Sequence, residues 1–516
     1  MSSHPVRVRF SPAPSGWLHV GGARTALFNW LWARQQGGVM VLRIEDTDAE
    51  RATIELAHGM MDALTWLGLT WDEGIGVDDA PYGPYLQSER RPLHDAVARR
   101  LVAAGYAYEA FETPEELDAA REALQAAKQN PAYKTGHRDL TDDQKAAYRA
   151  QGREPVLRIR TPDEGTVSFD DLVRGTVTFD WKDIGDFVIC RADGSPTYLL
   201  ANVVDDLSQG ISLIARGEDL LSATPRQLLM QDLLMRPDAD GTPILDAALA
   251  EVGYTPREGN WSTAPDYAHL PLLVGADRKK LSKRHGDVAI DQYRKNGFLP
   301  EVMLNFLAIC GWSADGSTEH FTVDELIKAF SFDRVSPNPS FFDDVKLRNF
   351  NGDAIKAMPV DVFANHLVDA FVQAEVITEP VQDTDRALIT AFAPLLQERS
   401  QTLADAVPMV AFAFRDEVVW DEAAIKKWMK PVAGQVLDFI TPRLKALTEW
   451  TPDAIHAVFD EAKASLDLGM GKIMQPARVA VTGTAVSPPL PETLSVLDQT
   501  TVVDRLLAGR SKVLSE

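Results

Sequence analysis

Apolar and polar positions change period several times along this chain, and the first change comes early. A β-rich run from Val6 to Phe10 passes through a Pro/Ser/Gly loop into a helix beginning near Gly21. Ala23, Ala26, Leu27, Trp30 and Leu31 fall at the i, i+3, i+4, i+7, i+8 spacing of one helical face. Gly37-Gly38 turns the chain into an apolar strand, Val39 to Ile44, which ends in Glu45-Asp46-Thr47-Asp48. A helix is predicted around Ile54 to Leu67, followed by a loop rich in Asp, Gly and Pro. This is a β-α-β order, in which ligands bind beyond the carboxyl ends of the strands. Glu45 is placed there to meet an amine, whereas Asp48 reads rather as a cap for the next helix.

From about Pro92 the texture is helix-rich, with capping signatures at Thr113/Glu116 and Thr141/Gln144 around a polar stretch from Lys128 to Arg138. Short strands follow at Val156 to Arg160, Val167 to Phe169 and Val177 to Phe179. Residues 92–190 therefore read as an insertion that splits the sheet. The sheet resumes at Arg191 to Tyr198 and continues through LLANVVDD to Asp206, with a further strand at Ile211 to Ala215 and a helix near Pro225 to Leu234. Residues Asp238 to Tyr267 form a long excursion to which the pattern assigns no role. Helices around Leu299 to Ile309, a capping box at Thr322/Glu325 and a Pro/Ser/Asn-rich hinge from Asp333 to Asp344 lead into almost purely helical periods, such as Arg386 to Leu396 and Pro452 to Ala462. The predicted fold class is an α/β Rossmann-like nucleotide-binding domain with an inserted α+β domain, followed by an all-α C-terminal domain. No internal repeat is evident.

At 516 residues, the chain exceeds what one hydrophobic core supports, so three or more packing units are expected. An apolar fraction of 45% and a charged fraction of 25% are those of a globular protein. No apolar run is long enough to cross a bilayer, and MSSHPVRVRF carries no signal-peptide core, so a cytoplasmic protein without a membrane partner is predicted. The two cysteines, Cys190 and Cys310, lie far apart outside any metal-binding spacing, which predicts buried thiols and neither disulfide nor zinc. A net charge of −23 argues against a nucleic-acid partner only globally, because binding depends on local patches. One such patch runs from Asp277 to Lys295, where Arg278, Lys279, Lys280, Lys283, Arg284, Arg294 and Lys295 face three acids.

Two stretches carry candidate chemistry. In RVRFSPAPSGWLHVGGAR, His19 sits between a strand and a helix start, with Gly21 and Gly22 behind it. Free N–H groups and the positive end of the helix dipole suit a phosphate there, and glycine permits close approach. The second stretch, KKLSKRHG from Lys279 to Gly286, is basic and Gly/Ser-containing. Taken singly, they read as a capping histidine and a solvated basic turn.

Together, HVGG and KLSKR resemble the two signature motifs of class I aminoacyl-tRNA synthetases. RIEDTD, DGSPTYLLANVVDD, RGEDLLSATPRQ and VTGTAVSPPL narrow the resemblance to the bacterial-type glutamyl-tRNA synthetases, over nearly the whole chain. The resemblance implies a catalytic domain split over 1–91 and 191–272. It further implies an acceptor-end-binding insertion at 92–190, a stem-contact region at 273–332 with the KLSKR loop, and an α-helical anticodon-binding domain at 333–516. His19 and Lys283 take catalytic roles by similarity, with Gly21, Gly22, Glu218 and Lys280 at ATP. Arg9 and Arg216 hold the glutamate γ-carboxylate near Tyr198, Glu45 takes the α-amino group and Asn202 the α-carboxylate. In the first loop the usual Ala-Pro-Ser-Pro is Ser11-Pro12-Ala13-Pro14, so Ala13 lacks a hydroxyl that Ser11 is placed to replace. Lys426, Lys427, Lys430, Arg443, Lys445, Lys472 and Arg478 are candidates for an RNA groove.

The implied reaction uses L-glutamate and Mg·ATP to form glutamyl-adenylate, then transfers the acyl group to the terminal adenosine of tRNA-Glu, by a monomer without zinc. Charging of tRNA-Gln as well stays open. Three rival readings remain: a related ligase acting without tRNA, a non-catalytic tRNA-binding paralogue, and a glutamine-specific enzyme. The long helical tail opposes the first, and intact His19, Lys283, Arg9 and Arg216 oppose the second. A C-terminal third without strand-rich barrel patterning opposes the last.

Overall fold

The computed structural model describes residues 6–47, 53–127, 136–255, 264–281 and 288–513. Two compact units emerge, Met1–Asp291 with Met303–Asp343 and Gln292–Val302 with Asp344–Glu516. The expected hinge thus ends where the second unit begins, while residues 292–302 of the expected stem-contact region belong to that second unit.

The first unit is built on strands β1 Arg7–Phe10, β2 Val39–Leu42, β3 Glu73–Gly74, β4 Ala107–Ala110, β5 Val156–Ile159, β6 Thr166–Asp171, β7 Gly175–Asp180, β8 Val188–Cys190, β9 Leu213–Gly217 and β10 Asp266–Leu270. Among the described residues, seven of them form one sheet in the order β3-β2-β1-β9-β10-β6-β7. Every pairing in it is parallel except β6 with β7. β1 lies between its two parallel partners, β2 and β9, so the order of strands reverses there, and their carboxyl ends leave a crevice. Helix α1, Val20–Gln36, crosses from β1 to β2 with Ala23, Ala26, Leu27 and Leu31 fully buried. Gly37 ends it in the left-handed conformation, φ 60°.

Three features depart from the sequence reading. The run YLLANVVDDLS is a helix, α6 (introduced with its neighbours α2 Ile54–Trp66, α3 Arg91–Ala103, α4 Pro114–Ala126 and α5 Asp142–Ala150), spanning Tyr198–Ser208, and does not continue the sheet. Its Leu200, Val203, Val204 and Leu207 follow the 3.6-residue period and are buried, while Asn202, Asp205 and Asp206 form a buried polar stripe. Second, the strands Val167 to Phe169 and Val177 to Phe179, assigned to the insertion, belong to the β6–β7 hairpin at the edge of the main sheet. Only β4, β5 and β8 make a separate three-stranded sheet. Third, the excursion after Asp238 holds a helix. Following α7, Thr224–Met235, helix α8, Ile244–Val252, buries Ile244, Leu245, Ala248 and Leu249 in one core with Leu93 and Val97 of α3, Val203 and Val204 of α6 and Ile189 of β8. The capping boxes at Thr113/Glu116, Thr141/Gln144 and Thr322/Glu325 are all formed. Most of Lys128 to Arg138, and Asp48, lie outside the described residues.

The described part of the second unit from Asp344 onward is helical without strands. Gly483 ends the helix Met470–Thr482 with φ 78°, where a Cβ would fall within 2.1 Å of the Val419 carbonyl oxygen, so only glycine fits. Of the RNA-groove candidates, Lys426, Lys427, Lys430, Lys445 and Lys472 are exposed. Arg478 differs: it donates to the carbonyl oxygens of Ser487 and Pro488 and thereby holds the chain's own turn. Arg443 pairs with Glu461 at 3.0 Å.

Under the crevice, Asp205 of α6 accepts from Arg90 Nε at 2.6 Å, from Gln87 at 2.8 Å, and meets His94 Nε2 at 2.9 Å, with no solvent contact. Burial by itself would raise this carboxyl, but His94 and Arg90 outweigh it and hold it well below the usual range. A depressed folded-state pKa contributes stability above the unfolded value and loses it as pH falls below that value. Asp205→Asn, which strands Arg90, is therefore expected to destabilise the first unit at pH 7 by about 3 kcal/mol. In urea denaturation the difference from wild type should shrink once pH drops below about 4.

Candidate active site

A cavity of about 380 Å³ opens at the carboxyl ends of β1 and β9, with all of its lining residues in the first unit. Of the residues singled out in the sequence, it gathers Arg9, Ser11, Ala13, His19, Gly21 and Gly22 from the first strand and elbow. Glu45, Tyr198, Asn202, Arg216 and Lys280 join them from four later segments. Glu218 does not line it: its carboxylate accepts from the Leu272 N–H at 2.8 Å and pairs with Arg174. Its neighbour Asp219 lines the cavity instead, and pairs with Lys280 at 2.8 Å. Lys283 lies outside the described residues. Both flanks of its loop are anchored at the cavity, since Leu281 N–H donates to the Leu273 carbonyl and Val20 N–H to that of Val288, while His19 bridges Ala289.

The elbow is arranged for an anion. His19 precedes α1 in extended conformation, and its Nδ1 accepts from the Gly22 N–H at 3.1 Å. Nδ1 is thus unprotonated, which leaves the Nε2 N–H as a donor. Desolvation by the cavity walls, with Lys280 adding to it, lowers the His19 pKa below 6.5. A Cβ on Gly21 would come within 3.1 Å of this ring, so glycine keeps the histidine seated beside the helix N-terminus.

On the other side of the cavity lie three guanidiniums and two carboxylates. Asp206 receives Arg9 Nε at 3.1 Å and Arg43 Nη2 at 2.7 Å. Arg43 Nη2 also donates to Glu45 Oε1 at 3.0 Å, and Asn202 Nδ2 donates to the same oxygen at 2.7 Å. Glu45 Oε2 is bonded by none of the described residues. Arg9 and Arg43 are therefore neutralised locally. Arg216 is not: only 4% exposed, it donates to His269 Nε2 at 3.2 Å, to the Tyr198 hydroxyl at 3.3 Å, to Thr224 Oγ1 at 2.9 Å and to the Leu220 carbonyl at 3.4 Å. All four partners are neutral, and no carboxylate among the described residues reaches it. A buried charge without a counter-charge is costly, so the cavity favours an anion here. Burial pushes the Tyr198 phenol up, so its proton stays on and remains available to that anion.

Several contributors were not singled out in the sequence. His269 and Thr224 contact Arg216, Asp171 lies behind His269, and Asp206 underlies Arg9. Arg24 of α1 also lines the cavity; it holds the carbonyl oxygens of Cys310 and Pro271, and burial pulls its pKa down to about 10.

Comparison with known proteins shows what the chain as a whole is similar to. Residues 5–239 and 260–349 match the family described as tRNA synthetases class I (E and Q), catalytic domain, and residues 362–510 match an anticodon binding domain. A glutamate–tRNA ligase of Saccharopolyspora erythraea is 43% identical, over 98% of this chain and 96% of that protein. One from Mycobacterium leprae is 42% identical over 99% and 97%. The crystal structure of a glutamate tRNA ligase from Elizabethkingia meningosepticum in complex with its amino acid superposes with a TM-score of 0.76 at 29% identity, covering 99% of this chain and all of that one.

The elbow makes one direct prediction. Because the folded state favours neutral His19, an NMR titration should place its midpoint below 6.5. Gly21→Ala, which crowds the ring, should move that midpoint toward the ordinary value.

Proposed function

We propose, since the chain belongs to the glutamate–tRNA ligase family of the class I tRNA synthetases, that it activates L-glutamate with Mg·ATP and transfers it to tRNA-Glu. The observation that carries the glutamate specificity is Arg216, a buried cation lining the cavity among neutral partners. The γ-carboxylate of glutamate supplies Arg216 with the counter-charge it lacks among its neutral partners. Glutamine would leave it unbalanced.

In this reading the γ-carboxylate binds Arg216 and the Tyr198 hydroxyl, and Arg9 adds field from behind its Asp206 partner. The ammonium meets Glu45 Oε2, while Asn202 and Arg43 on Oε1 fix that carboxylate. Asn202 also turns its second amide hydrogen toward the α-carboxylate, and Ser11 adds a hydroxyl. ATP would lie against His19 Nε2, Gly21 and Gly22, and Mg2+ brought in with it would offset phosphate charge. An oxygen of the α-carboxylate attacks the α-phosphorus and pyrophosphate leaves. Protein assistance is positioning plus positive charge, which Lys280 and Lys283 supply as negative charge builds on the phosphates. The 2′-hydroxyl of the terminal adenosine then attacks the acyl carbon and releases AMP. Residues 92–190 would receive the acceptor end, 273–332 the stem and 333–516 the anticodon, whose bases can be splayed and read singly. We assign the enzyme to the cytoplasm as a monomer.

Charging with labelled glutamate, Mg·ATP and separate tRNA-Glu and tRNA-Gln transcripts tests the reading. Charging of tRNA-Glu supports it, and the tRNA-Gln lane decides whether the enzyme discriminates. Absence of both products would return the argument to a non-catalytic tRNA binder. Arg216→Ala should raise KM for glutamate at least about thirtyfold, as loss of hydrogen bonds to a charged group predicts. Lys283→Ala should reduce adenylate formation far more than tRNA affinity.

A further inference from the structure

Arg216 is held by a set of side chains that the reaction itself does not call for. His269 lies opposite Arg216 in the parallel register of β9 and β10, and both are buried. On the far side of the imidazole, His269 Nδ1 meets Asp171 Oδ2 at 2.6 Å, and Asp171 also accepts from the backbone N–H groups of His269, Val173 and Arg174. Asp171 ends β6, so the hairpin that extends the sheet brings this carboxylate to the site.

These contacts fix every proton. The carboxylate can only accept, so His269 Nδ1 carries the hydrogen and Nε2 is a lone-pair acceptor. Nε2 receives Arg216 Nε–H at 3.2 Å and faces Thr224 Oγ1 at 3.0 Å. Thr224 Oγ1 accepts from Arg216 Nη2 at 2.9 Å, so its own hydroxyl hydrogen points to Nε2. A proton on Nε2 would confront the Arg216 Nε–H donor. The guanidinium also stacks over the Tyr267 ring, 5.4 Å from its centroid, and that ring lies parallel to His269. Asp171 could have paired with an arginine directly; instead the neutral imidazole stands between them. The guanidinium is thereby oriented without being neutralised.

We propose that Asp171, His269 and Thr224 are positioning residues for charge selection: they lock the Arg216 fork and preserve its full positive charge for the substrate carboxylate. The inference rests on the glutamate-activating reading above. It adds that discrimination against the uncharged amide is set one layer behind the residues that touch substrate.

The test compares Asp171→Asn, Thr224→Val and Thr224→Ser in the full-length enzyme, with wild type alongside as the control for glutamate activation itself. In Asp171→Asn the amide nitrogen can face His269 Nδ1 and shift the proton to Nε2, against Arg216 Nε–H. KM for glutamate should rise about tenfold or more, as expected when a hydrogen bond to a charged group is lost, with KM for ATP within twofold and preference over glutamine reduced. Nitrogen NMR of the imidazole should report the exchanged tautomer. Thr224→Val should raise KM for glutamate in the same way, and Thr224→Ser should restore it. Since KM does not depend on the active fraction, partial misfolding does not imitate this pattern, and should Asp171→Asn fail to fold, the Thr224 pair decides. Wild-type KM for glutamate in folded Asp171→Asn, or equal behaviour of Thr224→Val and Thr224→Ser, would overturn the proposal. A wild-type enzyme that does not activate glutamate would instead overturn the functional reading.

Discussion

A single carboxylate without solvent contact, Asp206, holds the crevice together. Two guanidiniums from neighbouring parallel strands or their ends, Arg9 and Arg43, converge on it. Burial by itself would raise the Asp206 carboxyl, yet the two cations outweigh it and keep it ionised. The balance is reciprocal. Burial works against the charge on Arg43, but Asp206, Glu45 and Asp205 around it outweigh burial and hold its pKa above the usual range. Such a cluster tolerates no missing member, since removing one charge strands another in a medium that solvates it poorly. It therefore fixes the ends of β1 and β2 against α6, and with them the one wall of the cavity that must not move.

That wall also explains how three arginines of similar burial acquire different roles. Arg43 and Arg9 are saturated by carboxylates and serve as framework, with Arg9 adding only a residual field at the cavity surface. Arg216 sits one strand away among an imidazole, a phenol, a hydroxyl and a carbonyl. Hydrogen bonds to neutral groups orient a guanidinium but, unlike an ion pair, leave its charge intact. Function in this site is thus assigned by the charge of the partners and not by the identity of the residue.

Much of this was legible in the chain. The elbow around His19 showed itself through a strand period, a Gly/Pro loop and a helical period in immediate succession, and the capping boxes marked helix starts without tertiary help. What was missed has physical reasons. LLANVVDD looked like part of the sheet because a short apolar run does not by itself separate a strand from a buried helix, and its helical period emerges only when the polar stripe of Asn202, Asp205 and Asp206 is read as buried. The β6–β7 hairpin looked like part of an insertion because sequence proximity hides a pairing with β10 that closes over 98 residues between Asp171 and His269. Glu218 was expected at ATP by resemblance; its carboxylate lies off the cavity that its neighbour Asp219 lines, a one-residue difference at the end of a strand that no sequence pattern resolves.

The hairpin shows what such long-range pairing accomplishes. β6 runs parallel to β10, so Asp171 reaches the same carboxyl edge as His269 and Arg216, and three adjacent strands present residues at or next to their carboxyl ends in a row. A parallel sheet repeats this geometry at each strand, since every carboxyl end opens on the same side. The sheet edge thereby delivers a carboxylate to the interior without placing it in the cavity, where it would cancel Arg216. Distance from the substrate is the useful property of Asp171. An acid one strand closer would neutralise the cation, and none at all would leave the imidazole free to present a proton to it. The strand order β9-β10-β6 sets the separation at one imidazole, so charge selection follows from topology as much as from side-chain chemistry.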